Sequence, residues 1–201
     1  GANEELGDRL NDSIYSNGYS TTDKQGDVAI GGNLKTADKY KMANEINQKF
    51  VDVIRATGGN NANRHLLIPG YNTDIEKTVN ARFVMPKDTA ENGKTKLFVS
   101  VHYYTPWDFC GDGGAGSYTY GDRQKTVENF ELLKRFSDEG YAYIIGECGV
   151  CSPQTVTGSV TAWFNDTFKE AAKYHAVPVL WETGQYFDRT AATLKFKDVA
   201  V

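Results

Sequence analysis

Tyr141-Ala-Tyr-Ile-Ile-Gly-Glu-Cys-Gly149 decides the fold. Ala142 to Ile145 is short, continuous, β-branched and aromatic, and Gly146 closes it, so it reads as a buried strand of the kind found in parallel sheets. One carboxylate, Glu147, stands at its end between two glycines, Gly146 and Gly149. A charge at that place is costly to bury unless it is paired, hydrogen-bonded or used. The glycines clear side-chain bulk so that another group can approach. Glu147 is therefore the first candidate for chemistry. The competing reading is an ion pair at a strand end, since such networks also hold buried acids.

Working outward, helical and strand patterns alternate. Ala37 to Thr57 places Tyr40, Ala43, Ile46, Phe50, Val53 and Ile54 on one helical face, with Thr36 as its N-cap and Gly58-Gly59 as its stop. His65-Leu-Leu-Ile68, ended by Pro69-Gly70, is a short strand, and Ala81 to Met85 reads as a helical turn. Leu97 to Tyr104 is the next strand, followed by a glycine-rich loop from Asp108 to Asp122. Arg123 to Glu139 is a helix with Val127, Phe130, Leu133 and Phe136 inward, stopped by Gly140. After the strand that carries Glu147, Ser159 to His175 reads as a helix burying Val160, Trp163, Phe164, Phe168 and Ala171. Val177 to Trp181 is a last strand, and a final helix is expected beyond Arg189. This is the βαβ order of a parallel sheet with helices outside. The visible strands are half of what a closed (β/α)8 barrel needs, so the chain is a small open α/β sheet or half a barrel.

The chain has 201 residues, net charge −4 and no basic stretch, which argues against nucleic acid and anionic membrane as partners. No apolar run approaches the ~20 residues of a membrane span, and none resembles a signal sequence. Residues 5–35 are polar and glycine-dotted and read as a long surface loop. The cysteines, Cys110, Cys148 and Cys151, are odd in number and form no disulfide framework. Cys148-Gly-Val-Cys151 lacks the further ligands of a zinc site. The helix that a redox pair would open begins later, beyond Pro153 and Thr155. Small packed cysteines are the expected reading.

Polar and aromatic residues gather at the C-terminal ends of three strands, as His102-Tyr103-Tyr104, Glu147 and Trp181-Glu182, and again at Asn3-Glu4-Glu5. In α/β sheets and barrels this edge is where sites are built. Asn3-Glu4, Val101-His-Tyr-Tyr104, Gly146-Glu147 and Leu180-Trp-Glu182, in this order, resemble glycoside hydrolase family 5, the cellulase-type (β/α)8 enzymes. Phe50 to Asn61, Leu67-Ile-Pro-Gly70 and His102 to Trp107 extend the resemblance to bacterial endoglucanases of that family. It covers essentially the whole chain, but only the second half of the barrel, from the end of strand four onward.

The resemblance implies a fold and a function. Residues 1–201 would be the C-terminal half of a single catalytic domain of about four βα units, a (β/α)8 barrel completed by a missing N-terminal half in the same polypeptide or a second chain. The activity implied is endo-acting, retaining cleavage of β-1,4-glucan such as cellulose, mixed-linkage glucan or xyloglucan, by double displacement and without metal or cofactor. Glu4 would be the acid/base and Glu147 the nucleophile, while His102 and Tyr104 would attend the nucleophile and the sugar. Asn3 would bind substrate beside Glu4. Trp181 would stack under the sugar, with Trp107 or Tyr103 as a further platform. The family usually follows Asn-Glu with Pro, whereas Glu5 stands here. Secretion is expected because the substrates are polymers. Two other readings stay open: a non-catalytic carbohydrate-binding half-barrel, and a Cys-x-x-Cys metal or redox protein.

Overall fold

The computed structural model of the chain describes residues 3–4, 6–8, 10, 34–90, 93–114, 116–152, 157–190 and 195–197. Four strands, β1 (Leu66–Pro69), β2 (Leu97–Tyr103), β3 (Ala142–Cys148) and β4 (Val177–Leu180), make one sheet in that order. β1 pairs with β2, and β3 with β4, in parallel. The main helices are α1 (Thr36–Ala56), α2 (Tyr120–Leu132) and α3 (Thr157–Lys173). This is the alternation of a partial (β/α) barrel, as expected. The loop predicted over residues 5–35 lies almost wholly outside the described residues.

The chain divides into two compact units. One comprises Gly1–Val101 and Arg135–Tyr143, the other His102–Lys134 and Ile144–Val201. In the first, α1 buries Tyr40, Ala43, Asn47 and Val51. Ile46 and Val53, expected on the inner face, are exposed instead. The face turned because a polar residue belongs to it: Asn47 donates from Nδ2 to the Pro69 carbonyl at 3.1 Å, satisfying the last carbonyl of β1. Thr36 is the first helical residue, and its predecessor Lys35 supplies no side-chain cap. The stop at Gly58 is as read, with φ 65° in the left-handed region that glycine adopts without cost.

Irregular segments of this unit are fixed by two arginines, one buried and one half-buried. Arg55 grips Asp88 with two hydrogen bonds, 2.8 Å and 2.7 Å, and both side chains are nearly inaccessible. The Arg135 guanidinium donates to the carbonyls of Thr78, Asn80 and Phe83, which fixes the segment expected to be a helical turn as an irregular one. Phe136 meets Phe83 edge to face below this clamp. Each such fully buried Phe contributes about 2–3 kcal/mol by removing its ring from water.

In the second unit α2 begins at Tyr120, earlier than the periodicity suggested. Thr119 and Asp122 form a reciprocal capping box. The helix also stops sooner, at Leu132, and Lys134–Asp138 forms a separate short helix, all but its first residue counted in the first unit. Phe130 is fully buried, whereas Val127 on α2 and Phe168 on α3 are exposed, contrary to expectation. Trp163 of α3 is fully buried and stacks on Tyr103. No described residue beyond Arg189 is helical. Phe187–Asp188 and Lys195–Phe196 pair instead as a small antiparallel ribbon. Among the described residues no helix is long and apolar enough to cross a membrane.

Candidate active site

Strand parity sorts the polar residues of β2. Leu97, Val99, Val101 and Tyr103 are buried on one face, while Phe98, Ser100 and His102 alternate to the other. Tyr103 is thus committed to the core, where its hydroxyl donates to Thr126 Oγ1 at 2.9 Å. It is not a platform for ligand. His102, and Tyr104 two residues on, share the opposite parity.

On β3 the same rule would send Glu147 to the face of Tyr143 and Ile145, into the core. A bulge prevents this. Ile144 pairs with Val177 and Ile145 with Pro178, but Leu180 pairs with Cys148, so β3 spends one residue more than β4 between the pairs. The extra residue reverses the parity: Cys148 is buried, and Glu147 turns toward His102 and Tyr104. Gly146, just before Glu147, is the residue that makes such a bend inexpensive.

There the Tyr104 hydroxyl donates to Glu147 Oε2 at 3.2 Å. His102 Nδ1 lies 3.4 Å from the same oxygen, with its ring almost fully enclosed. Burial, the Glu147 charge and this hydrogen bond push the Tyr104 phenol far above its usual pKa, so it remains a donor throughout the working pH range. The turn after Tyr104 is held from beneath by Trp163, whose indole Nε1 donates to the Thr105 carbonyl at 2.8 Å. Trp107 follows with its ring edge-on to Tyr104 and is 66% exposed. Gly111 permits this placement, since a Cβ there would come within 2.6 Å of the Trp107 indole.

Trp181 is 43% exposed, and its amide donates to the Cys148 carbonyl at 2.8 Å, which fixes it beside the end of β3. Glu182 next to it is fully engaged. Its Oε1 accepts from the amides of Gly184, Tyr186 and Phe187, and Arg189 binds its Oε2. Burial would raise its pKa, but the amides of Phe187 and Tyr186, Arg189 and the amide of Gly184 bring it down to about 2. Tyr186 was not singled out in the sequence, yet it ties the loop after β3 in place. Its hydroxyl donates to the Val150 carbonyl at 2.7 Å and accepts from the Val150 amide.

Asn3 and Glu4 belong to the other unit, Asn3 exposed and Glu4 half-buried. The segment just after them is anchored by Asp8. Its carboxylate accepts from Tyr71, Asn72 and Lys77, and Asn72 Oδ1 accepts the Asp8 amide at 2.7 Å. Burial opposes the charge, but hydrogen bonds from Lys77, Asn72 and Tyr71 hold the Asp8 pKa well below the carboxylate range. Cys110 and Cys148 are buried thiols, Cys151 is half-buried, and the helix described after them is Thr157–Lys173.

The sequence profile of "Cellulase (glycosyl hydrolase family 5)" matches residues 17–187. The chain belongs to glycosyl hydrolase family 5. The family 5 match contains His102, Tyr104, Trp107, Glu147 and Trp181 and does not reach Asn3 or Glu4. Among curated proteins, endoglucanase A of Paenibacillus barcinonensis is 33% identical over 169 residues, 72% of this chain and 42% of that one. The xyloglucan-specific endo-beta-1,4-glucanase of Bacteroides ovatus is 31% identical over 198 residues, 86% of this chain and 38% of that one. Among solved structures, a family 5 xyloglucanase from Paenibacillus pabuli in complex with ligand superposes with a TM-score of 0.69 at 29% identity. That likeness covers 82% of this chain and 55% of the other. The chain thus spans about two fifths of the length of these curated family 5 relatives.

Proposed function

We propose that residues 1–201 form the second half of a family 5 barrel, from the end of strand four onward, and that the completed domain is an endo-acting, retaining hydrolase of β-1,4-glucans. The observation that carries this reading is the Glu147 carboxylate, turned out of the core by a bulge and met by Tyr104 and His102. The Tyr104 phenol, which keeps its proton, holds the carboxylate nucleophile in place by hydrogen bonding. Glu147 attacks the anomeric carbon as Glu4 protonates the departing glycosidic oxygen, giving a glycosyl ester on Glu147. Glu4 then takes a proton from water, which attacks the same carbon and releases Glu147. Retention by this route requires the two carboxyl groups about 5–5.5 Å apart.

Trp181 and Trp107 present half-open rings on which the apolar face of a glucose ring stacks, and Asn3 and His102 supply polar contacts. Relatives named as an endoglucanase and as a xyloglucan-specific endo-beta-1,4-glucanase support a β-1,4-linked glucose backbone as the substrate. Exposed apolar residues on the outer strands, Leu67 on β1 and Val177 and Val179 on β4, support a partner half with further strands. A polymeric substrate supports a location outside the cell.

The test is hydrolysis of soluble mixed-linkage β-glucan by the chain alone and with the complementary half-barrel supplied. Turnover appears with the half-barrel and is lost in Glu147→Gln. Hydrolysis by that variant at the wild-type rate sinks the assignment. Full activity of the isolated chain as a stable monomer sinks the half-barrel reading. A second reading, a half-barrel that binds glucan without turnover, is favoured by the exposed rings of Trp107 and Trp181 and predicts binding in both cases with no release of sugar.

A further inference from the structure

The cysteines suggest a pairing different from the one their spacing in sequence offers. The Cys151 amide donates to the Cys110 carbonyl at 2.8 Å, across 41 positions of chain. With standard covalent geometry, that contact keeps the two Cα atoms within about 6.7 Å of each other, inside the span of roughly 4.4–6.8 Å that a disulfide bridges. A second contact between the same segments, from the Gly113 amide to Ser152 Oγ at 3.3 Å, holds them side by side. After burial, the Cys151 sulfur is the largest influence raising the pKa of Cys110. Cys148, the other member of Cys-x-x-Cys, is directed elsewhere. Its buried Sγ donates to the Val179 carbonyl, and its own carbonyl accepts the Trp181 amide, so it is held toward β4. The three sulfurs also do not gather as a metal-binding group.

The geometry points to Cys110 and Cys151 as an oxidation-sensitive pair that forms a disulfide under oxidising conditions, with Cys148 left as a free thiol. The bond joins the segment that carries Trp107 to the segment that follows Glu147. It does not depend on the proposed hydrolytic function. With a disulfide oxidant such as oxidised glutathione, the partly exposed Cys151 thiolate attacks one sulfur of the oxidant and releases one glutathione thiolate. The Cys110 thiolate then attacks the Cys151 sulfur of the mixed disulfide and releases the second. Two protein thiols lose two protons and two electrons, and one oxidised glutathione becomes two reduced ones. Burial, and then the neighbouring charges of Asp112 and Glu147, raise the Cys151 pKa, so the first step is slow at neutral pH and quickens as pH rises.

The test is to oxidise the reduced full chain with oxidised glutathione and map its peptides without reduction. The expected product is a single species in which the Cys110 peptide is joined to the Cys151 peptide while Cys148 remains alkylatable. Cys148→Ala should give the same link. The oxidised protein should melt roughly 5 °C or more above its reduced form, since the bond closes a long loop, and this difference should vanish in Cys151→Ser. A Cys148–Cys151 link, stable glutathionylation of Cys151 without an internal bond, or no reaction at alkaline pH overturns the proposal.

Discussion

Glu147 and Glu182 stand at the ends of neighbouring strands in the same compact unit, and the chain treats them differently. At the end of β4, Glu182 gathers three backbone amides and Arg189 around its carboxylate and shapes the loop that follows. At the end of β3, a bulge swings Glu147 away from the core to a phenol and an imidazole. A carboxylate saturated by its own loop is held in place and cannot readily take on a covalent bond. One attended by a phenol donor and a nearby His is oriented without being enclosed by its own loop. The difference lies in the local backbone, since both residues follow short apolar strands.

The largest expected effect separates the two directly. In the completed domain, Glu147→Gln should lower kcat on β-glucan by on the order of 10⁴-fold or more, with an unchanged melting temperature. Tyr104→Phe removes one hydrogen bond to the same carboxylate. It should cost about 10- to 100-fold in kcat/KM, matching the ~1.5–3 kcal/mol of a charged hydrogen bond. Glu182→Ala should act through the position of Trp181. A fall of roughly ten-fold in kcat/KM is expected, mostly in KM, with substantial recovery in Glu182→Gln, which keeps an acceptor oxygen. Equal losses in kcat for Glu182→Ala and Glu147→Gln would erase the distinction.

The smallest effect is one of pH. The Glu182 pKa is lowered from its ordinary 4.5 to about 2. Its contribution is therefore complete above about 4.5 and is lost as pH falls from there toward 2. In a Trp107→Phe background, the summed fluorescence of Trp181 and the buried Trp163 should stay level above that range and change within it. The same titration of Glu182→Gln should be flat.

Much of this was legible in the sequence, and the misses have physical causes. β1 to β4 were visible as short apolar runs, and the parity of Leu97 to Tyr104 already places His102 and Tyr104 together and Tyr103 apart. The outward turn of Glu147 was not legible in the same way. It depends on a register shift against β4, for which Gly146 is the only local sign. The inner face of α1 was misjudged because apolar periodicity cannot recognise Asn47 as a core residue capping a strand carbonyl. The start of α2 was available in Thr119-x-x-Asp122 but was concealed by the glycine-rich stretch before it. The role of Glu182 depends on amides in a loop with no periodic pattern and on Arg189 seven residues away.

In the proposed mechanism Glu147 is the carboxylate that reacts. The most direct measurement is to treat the turnover-competent protein with an activated 2-deoxy-2-fluoro cello-oligosaccharide, which lets the glycosyl ester form but slows its hydrolysis, and then to map the labelled peptide. A single adduct on Glu147, absent in Glu147→Gln, is the predicted result. An adduct on Glu182 or Glu4, or no adduct while the glucan is still being hydrolysed, would contradict it.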